Sequence, residues 1–95
     1  MAAQRSDKML FPCPCCGYLT LSSESRGSYE ICSICFWEDD AVQFDDPSYE
    51  GGANAVSLKQ AKKNFDAIGA SEAKFLGNVM KPSPDHLRGT RKNIS

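Results

Sequence analysis

The chain has 95 residues, of which 24% are charged, and a formal net charge of -1 at pH 7. That length predicts one domain with a small core. Domains of this size often gain additional stability from a metal ion or a covalent cross-link. Nowhere do about eighteen apolar residues run together, which excludes a membrane-spanning helix. The charge is uneven, with nine acidic and three basic residues among the first fifty and three acidic and eight basic residues thereafter.

The chain begins with a polar segment, residues 1–8, that has no apolar run and therefore resembles neither a secretory signal nor a membrane anchor. We expect a flexible lead over residues 1–8, a single domain over residues 9–84 and a basic flexible tail over residues 85–95. We also expect a cytoplasmic protein. In that reducing compartment, cysteines serve metal binding or redox chemistry more often than disulfides.

Four of the five cysteines form two C-x2-C knuckles that are separated by fifteen residues. This is the spacing of a tetrathiolate zinc site, and the sequence therefore predicts the metal ligands Cys13, Cys16, Cys32 and Cys35. Iron fits the same four sulfurs and is the alternative metal. A structural zinc stabilises model peptides by roughly 10 to 16 kcal/mol, so we expect the metal-free chain to be largely unfolded in its first half.

Two residues inside the first knuckle have different predicted roles. Gly17 follows the second ligand, where the backbone needs a positive φ angle that glycine adopts without strain. Cys15 could bind the same ion only with a one-residue spacing from Cys13 or directly next to Cys16, and both spacings are strained. We therefore interpret it as a packed thiol, with a redox role as the alternative.

The segment between the knuckles predicts a β-hairpin. Residues 18–21 alternate with strand character, residues 22–28 are typical of a turn, and residues 29–31 return as the second strand. Phe36 and Trp37 directly follow the last ligand and supply apolar bulk for packing against the metal site or the later helices.

The stretch from Glu38 to Asn54 predicts a long acidic loop, because it combines six carboxylates with a proline and paired glycines. We interpret the carboxylates as a docking surface for a basic protein partner, with a solvated loop as the alternative. The calcium-binding register is absent. The predicted partner-binding residues are Glu38, Asp39, Asp40, Asp45, Asp46 and Glu50.

Two short helices are predicted after this loop. The first begins at Ser57, whose hydroxyl can cap the N3 amide while Gln60 reaches back, and it ends at Gly69. Its apolar face is Leu58, Ala61, Phe65 and Ile68. The second helix is predicted from Glu72 to about Met80. The expected fold class is small α+β: a metal-stabilised, zinc-ribbon-like β-hairpin followed by a long acidic loop and two short C-terminal helices.

The basic residues of the second half favour a solvated helix face over a nucleic-acid interface. The metal-binding half of the chain is acidic and would repel a phosphate backbone. His86 is the only histidine, lies in the tail, and is interpreted as a surface residue. With no histidine-bearing catalytic constellation in the sequence, we expect a protein that is not an enzyme.

Several motifs together resemble the cysteine-rich CPCC family of small bacterial proteins. They are residues 13–18, the second knuckle running into residues 36–40, residues 45–47 and residues 49–54. The resemblance extends from about Phe11 to Pro84 and includes the helix opening at Ser57. It implies no activity, because the family has no established biochemical function. Ser33 stands where the family commonly has proline, and some members occur in toxin and immunity settings.

The sequence thus favours a non-enzymatic zinc-binding module that acts in protein–protein interaction, in a toxin/immunity or regulatory role, with the acidic loop as its docking surface. A rubredoxin-like iron electron carrier is the first alternative, since the first knuckle and its glycine resemble that class. A nucleic-acid-binding zinc ribbon is the second alternative. Neither the oligomeric state nor the partner follows from the sequence.

Overall fold

The computed structural model describes residues 10–22 and 27–82. The predicted lead and tail, His86 and four residues of the predicted turn lie outside these ranges. Strand β1 (Phe11–Pro12) pairs antiparallel with strand β2 (Leu19–Leu21), with Phe11 opposite Leu21. The first knuckle is the turn between these two strands, so the first two cysteines of the site lie at the tip of a short hairpin.

The second knuckle is the tip of a similar antiparallel pair. The Tyr29 N–H donates to the Asp39 carbonyl and the Asp39 N–H donates to the Glu30 carbonyl, each at 2.9 Å, and Ile31 forms a bridge with Glu38. The predicted pairing of residues 18–21 with residues 29–31 is therefore wrong for the described residues. Each strand pairs instead across its own knuckle, because the knuckle already reverses the chain and brings its flanks together.

The acidic segment is more ordered than the predicted loop, and it contains the short helix α1 (Ala41–Asp45). Asp40 caps this helix by accepting from the N–H groups of Val42 and Gln43, at 2.8 and 3.0 Å. The buried Gln43 side chain of this helix donates to the carbonyls of Tyr49, Asn54 and Val56 and so fixes the backbone of residues 49–56. The prediction of a loop throughout residues 38–54 is wrong at α1, because carboxylates in this stretch serve as local hydrogen-bond acceptors.

Helix α2 (Leu58–Ile68) confirms the first predicted helix. Ser57 Oγ accepts from the Gln60 N–H at 3.0 Å, and Gly69 ends the helix at a φ of 84°. The Gln60 side chain does not complete the capping box but donates to Asn64 Oδ1 at 2.8 Å. Leu58 and Ala61 are buried, whereas Ile68 is largely exposed, so the apolar face covers only the first part of the helix.

The second predicted helix is absent from the described residues, where only one 3-10 turn, Ala73–Phe75, is formed. The chain is instead drawn across the second knuckle. The Ser71 N–H donates to the Cys35 carbonyl at 2.8 Å, and the Met80 N–H donates to the Ser33 carbonyl at 2.9 Å. In a continuous helix over residues 72–80, the Met80 N–H would donate to a carbonyl of the same helix. It donates to a carbonyl of the second knuckle instead, so the regular helix does not form.

The core is built around the cysteines. All five are fully buried, together with Leu21, Ile34, Trp37, Leu58 and Ala61. Tyr18 and Phe65 pack edge to face at 6.4 Å between ring centroids and join the first knuckle to α2. Within the described ranges, no helix has the length and apolar character needed to cross a membrane.

Candidate metal centre

The two knuckles have the same backbone geometry. In the first, the Cys13 N–H donates to the Tyr18 carbonyl at 2.9 Å and the Gly17 N–H donates to the Cys13 carbonyl at 2.8 Å. In the second, the Cys32 N–H donates to the Trp37 carbonyl at 2.9 Å and the Phe36 N–H donates to the Cys32 carbonyl at 2.8 Å. Each turn therefore places its two cysteine side chains on the same side of the chain.

The two turns bring four sulfur atoms into one cluster. The Sγ atoms of Cys13 and Cys35 lie 3.6 Å apart and those of Cys16 and Cys32 lie 3.7 Å apart. All four sulfurs lie within 4.8 Å of one another. Four sulfurs at about 2.3 Å from a tetrahedral zinc ion would be separated by about 3.8 Å, so the donor set and its spacing fit such an ion.

The cluster is closed to solvent and its thiols titrate far from the ordinary range. Burial raises the pKa of Cys13 and Cys35. Hydrogen bonds from Cys13, Cys16 and Cys35 lower the pKa of Cys32. A divalent cation binds the four sulfurs as thiolates and must displace any protons they carry, so its affinity for the cluster weakens as the pH falls.

Thr20 is a site residue that the sequence analysis did not identify. It lies in β2, beyond the first knuckle, and its Oγ1 donates to the Cys32 Sγ of the second knuckle at 3.0 Å. This contact joins a strand of one hairpin to a sulfur of the other. The sequence alone gives no signal for it, because the relative position of the two hairpins does not follow from the cysteine spacing.

Cys15 is buried beside the four-sulfur cluster but is not one of its members. Burial, followed by hydrogen bonds to Cys13 and Cys15, raises the pKa of Cys35, which places the Cys15 thiol against the site. This position agrees with the interpretation of Cys15 as a packed thiol. Its chemical role stays a prediction.

The six predicted docking carboxylates fall into two groups. Asp39 and Asp40 are buried, and Glu38 is partly buried. Asp39 Oδ2 accepts from the Gly27 and Ser28 N–H groups and from the Ser28 hydroxyl, at 2.9 to 3.2 Å. Asp39 is therefore hydrogen-bonded within the fold and has no exposed surface that a partner could contact. The exposed group is Asp45, Asp46 and Glu50.

Asp40 is held by three backbone donors, which are Val42, Gln43 and, at 2.8 Å, the Ala53 N–H. Burial disfavours its charged form. The hydrogen bonds from Ala53, Gln43 and Val42 outweigh this effect and lower the pKa of Asp40 below its ordinary value. Asp40 thus ties α1 to the glycine-rich turn that follows it, and its role in partner binding stays a prediction that its burial does not favour.

The fold and the cluster define a small protein with two cysteine knuckles that together can hold one metal ion. The model of the cysteine-rich CPCC family matches residues 11–86. The chain therefore belongs to the cysteine-rich CPCC family, as its motifs indicated. A search of curated proteins found no match.

Proposed function

We propose that this chain is a non-enzymatic zinc-binding module whose metal holds the fold together while its surface binds another protein. The observation that supports a structural metal is the full burial of Cys13, Cys16, Cys32 and Cys35. A four-thiolate site is coordinatively closed, whereas catalytic zinc keeps a position for water or substrate. A metal ion bound by these four thiolates would therefore stabilise the two knuckles rather than take part in a reaction.

Zinc is preferred to iron on the same observation. Tetrahedral sulfur ligation suits both metals, and an iron-bound form would be a rubredoxin-like electron carrier. Electron exchange with a partner is favoured when a ligand sulfur reaches the surface, and here all four sulfurs have no exposed area. Colourless protein containing one zinc after expression with both metals supports the proposal. Red protein containing iron supports the electron carrier instead.

The surface proposed for partner binding lies around α1 and is named here the α1 surface: Val42, Asp45, Asp46, Tyr49 and Glu50. The Asp46 N–H donates to the Val42 carbonyl at 2.8 Å and the Tyr49 N–H donates to the Asp46 carbonyl at 2.9 Å, so these residues are held in one compact turn. The exposed fractions of Val42 and Tyr49 are 55% and 44%. Apolar side chains thus stand among three carboxylates.

This combination favours a basic protein partner. The carboxylates would attract it over a distance of about a Debye length, and the two apolar side chains would contribute burial on contact. Association driven in this way is fast and falls steeply with ionic strength. Asp39 and Asp40 support the surface indirectly, because they fix the backbone on which it is built.

The experiment is affinity capture from the native cell with the tagged, metal-loaded chain at low and moderate salt. The variant Asp45→Lys, Asp46→Lys, Glu50→Lys should lose a salt-sensitive partner that the parent chain retains. Asp66→Lys changes an exposed acid on α2 and should retain the partner. If the triple variant and the parent bind the purified partner with equal affinity, the α1 surface is not the docking site.

A further inference from the structure

The Thr20 hydroxyl contacts the candidate metal centre from outside the cysteine set. Thr20 is partly buried in β2, between Leu19 and Leu21, and its Oγ1 lies 3.0 Å from Cys32 Sγ. Leu21, the next residue of β2, is buried in the core together with Cys32, and this burial fixes the strand that carries Thr20 beside the second knuckle.

We propose that Thr20 is a positioning residue for the metal centre, whose hydroxyl donates to the Cys32 thiolate and tunes how strongly that sulfur binds the ion. This inference rests on the proposed metal site. A metal-bound thiolate has no proton to give, so the threonine hydroxyl is the donor in this contact. Hydrogen bonds to ionised acceptors are roughly twice as strong as those between neutral groups.

The hydroxyl has two effects on the site. It stabilises negative charge on a fully buried sulfur, which favours the ligating form. It also withdraws electron density from Cys32, which makes the sulfur a less easily oxidised ligand. Because Thr20 belongs to the first hairpin and Cys32 to the second, the bond additionally fixes the position of one knuckle relative to the other.

The test uses the full chain with Thr20→Val, which keeps the shape and removes the donor, and Thr20→Ser, which restores the donor. Loss of an outer hydrogen bond of this kind typically weakens metal affinity by about 10- to 100-fold. In competition with a chelator, Thr20→Val should therefore bind zinc at least about tenfold more weakly than the parent chain, with Thr20→Ser close to the parent.

Cobalt supplies a second readout that does not depend on affinity. In the cobalt-loaded chain, the sulfur-to-metal charge-transfer band should move to longer wavelength in Thr20→Val, because the sulfur is more electron-rich, and should return in Thr20→Ser. Partial loss of folding lowers the height of this band without moving it. If Thr20→Val bound no cobalt at all, the zinc affinities of Thr20→Ser and Thr20→Ala would decide, with the serine variant expected to bind more tightly.

The results of these experiments distinguish a failure of the proposed Thr20 role from a failure of the proposed metal site. Equal affinities and equal band positions for the valine and serine variants, with normal binding by the parent chain, would overturn the role of Thr20 and leave the site intact. If the parent chain bound neither zinc nor cobalt, the proposed metal site would fail first.

Discussion

Phe36 occupies in the second knuckle the backbone position that Gly17 occupies in the first. Their φ angles are 69° and 84°, and each N–H donates at 2.8 Å to the carbonyl of the first cysteine of its own knuckle. A side chain in this left-handed region costs about 1 to 2 kcal/mol. Phe36 bears that cost while its ring packs against Phe75, with the centroids 4.7 Å apart.

The contact between Phe36 and Phe75 should offset part of the backbone strain. In a double-mutant cycle with Phe36→Ala and Phe75→Ala, we expect a coupling free energy of about 0.5 to 1.5 kcal/mol, the range for aromatic pairs. The measurement is denaturant unfolding of the metal-loaded protein. Strictly additive effects of the two substitutions would show that the aromatic contact contributes no specific stabilisation.

Gln43 should be among the least replaceable side chains outside the cysteine cluster. Its Nε2 lies 3.0 to 3.1 Å from the carbonyls of Tyr49, Asn54 and Val56, and its Oε1 accepts from the Asn54 backbone and side-chain amides. Gln43→Met keeps the volume and removes these hydrogen bonds, three of which are buried, at a cost of about 1 to 3 kcal/mol for each buried one. We therefore expect at least about 3 kcal/mol of destabilisation.

The matched control for this change is Gln60→Met on the exposed side of α2, where the side chain donates to Asn64 in an exposed hydrogen bond. It should alter the unfolding free energy by no more than about 0.5 kcal/mol. Similar small effects at both positions would contradict the structural role of Gln43.

Asp40 should give the fold a pH-dependent contribution. Its folded pKa is lowered, so its stabilisation is fully present above the unfolded value of about 3.9 and is lost as the pH falls through the lower folded value. The difference in unfolding free energy between the parent chain and Asp40→Asn should therefore be constant from pH 7 to about 5 and shrink below about 4.

Asp45→Asn removes an exposed carboxylate of the same segment and corrects for effects that acid has on the whole chain, including release of the metal. The Asp40 difference is measured at constant metal excess and compared at each pH with the difference for Asp45→Asn. A difference for Asp40 that grew on acidification would be opposite in sign to the prediction.

Cys15 and Cys16 are adjacent in sequence, are both fully buried, and have different predicted roles. Cys15→Ser should keep one metal ion per chain and the tetrathiolate cobalt spectrum. Cys16→Ser removes a sulfur ligand and should lower the affinity for metal strongly, with loss of folded structure by circular dichroism. Loss of the tetrathiolate spectrum in Cys15→Ser would instead make Cys15 a ligand.

The parts of the fold that the sequence predicted depend on local chemistry. The two knuckles, the Ser57 cap and the Gly69 end of α2 each follow from residues a few positions apart. The predicted second C-terminal helix failed because its backbone bonds the second knuckle, a contact between distant segments. Local spacing carried no information about where residues 70–80 would pack.

The burial of carboxylates in the acidic segment also could not be predicted from local sequence. A run of carboxylates is typical of a solvated loop, yet Asp39 and Asp40 are buried because backbone N–H groups surround them. Gln43 and Thr20 were missed for a related reason. A lone polar residue gains its role from the groups that folding brings to it, and neither residue forms a motif with its neighbours in sequence.

The most direct test of the central claim is the metal content of the chain purified without added metal, measured by native mass spectrometry. We expect one zinc ion per folded chain, together with unfolding of the knuckle region when a chelator removes it. A folded chain that carries no metal, or one whose fold is unchanged by complete removal of the ion, would contradict it.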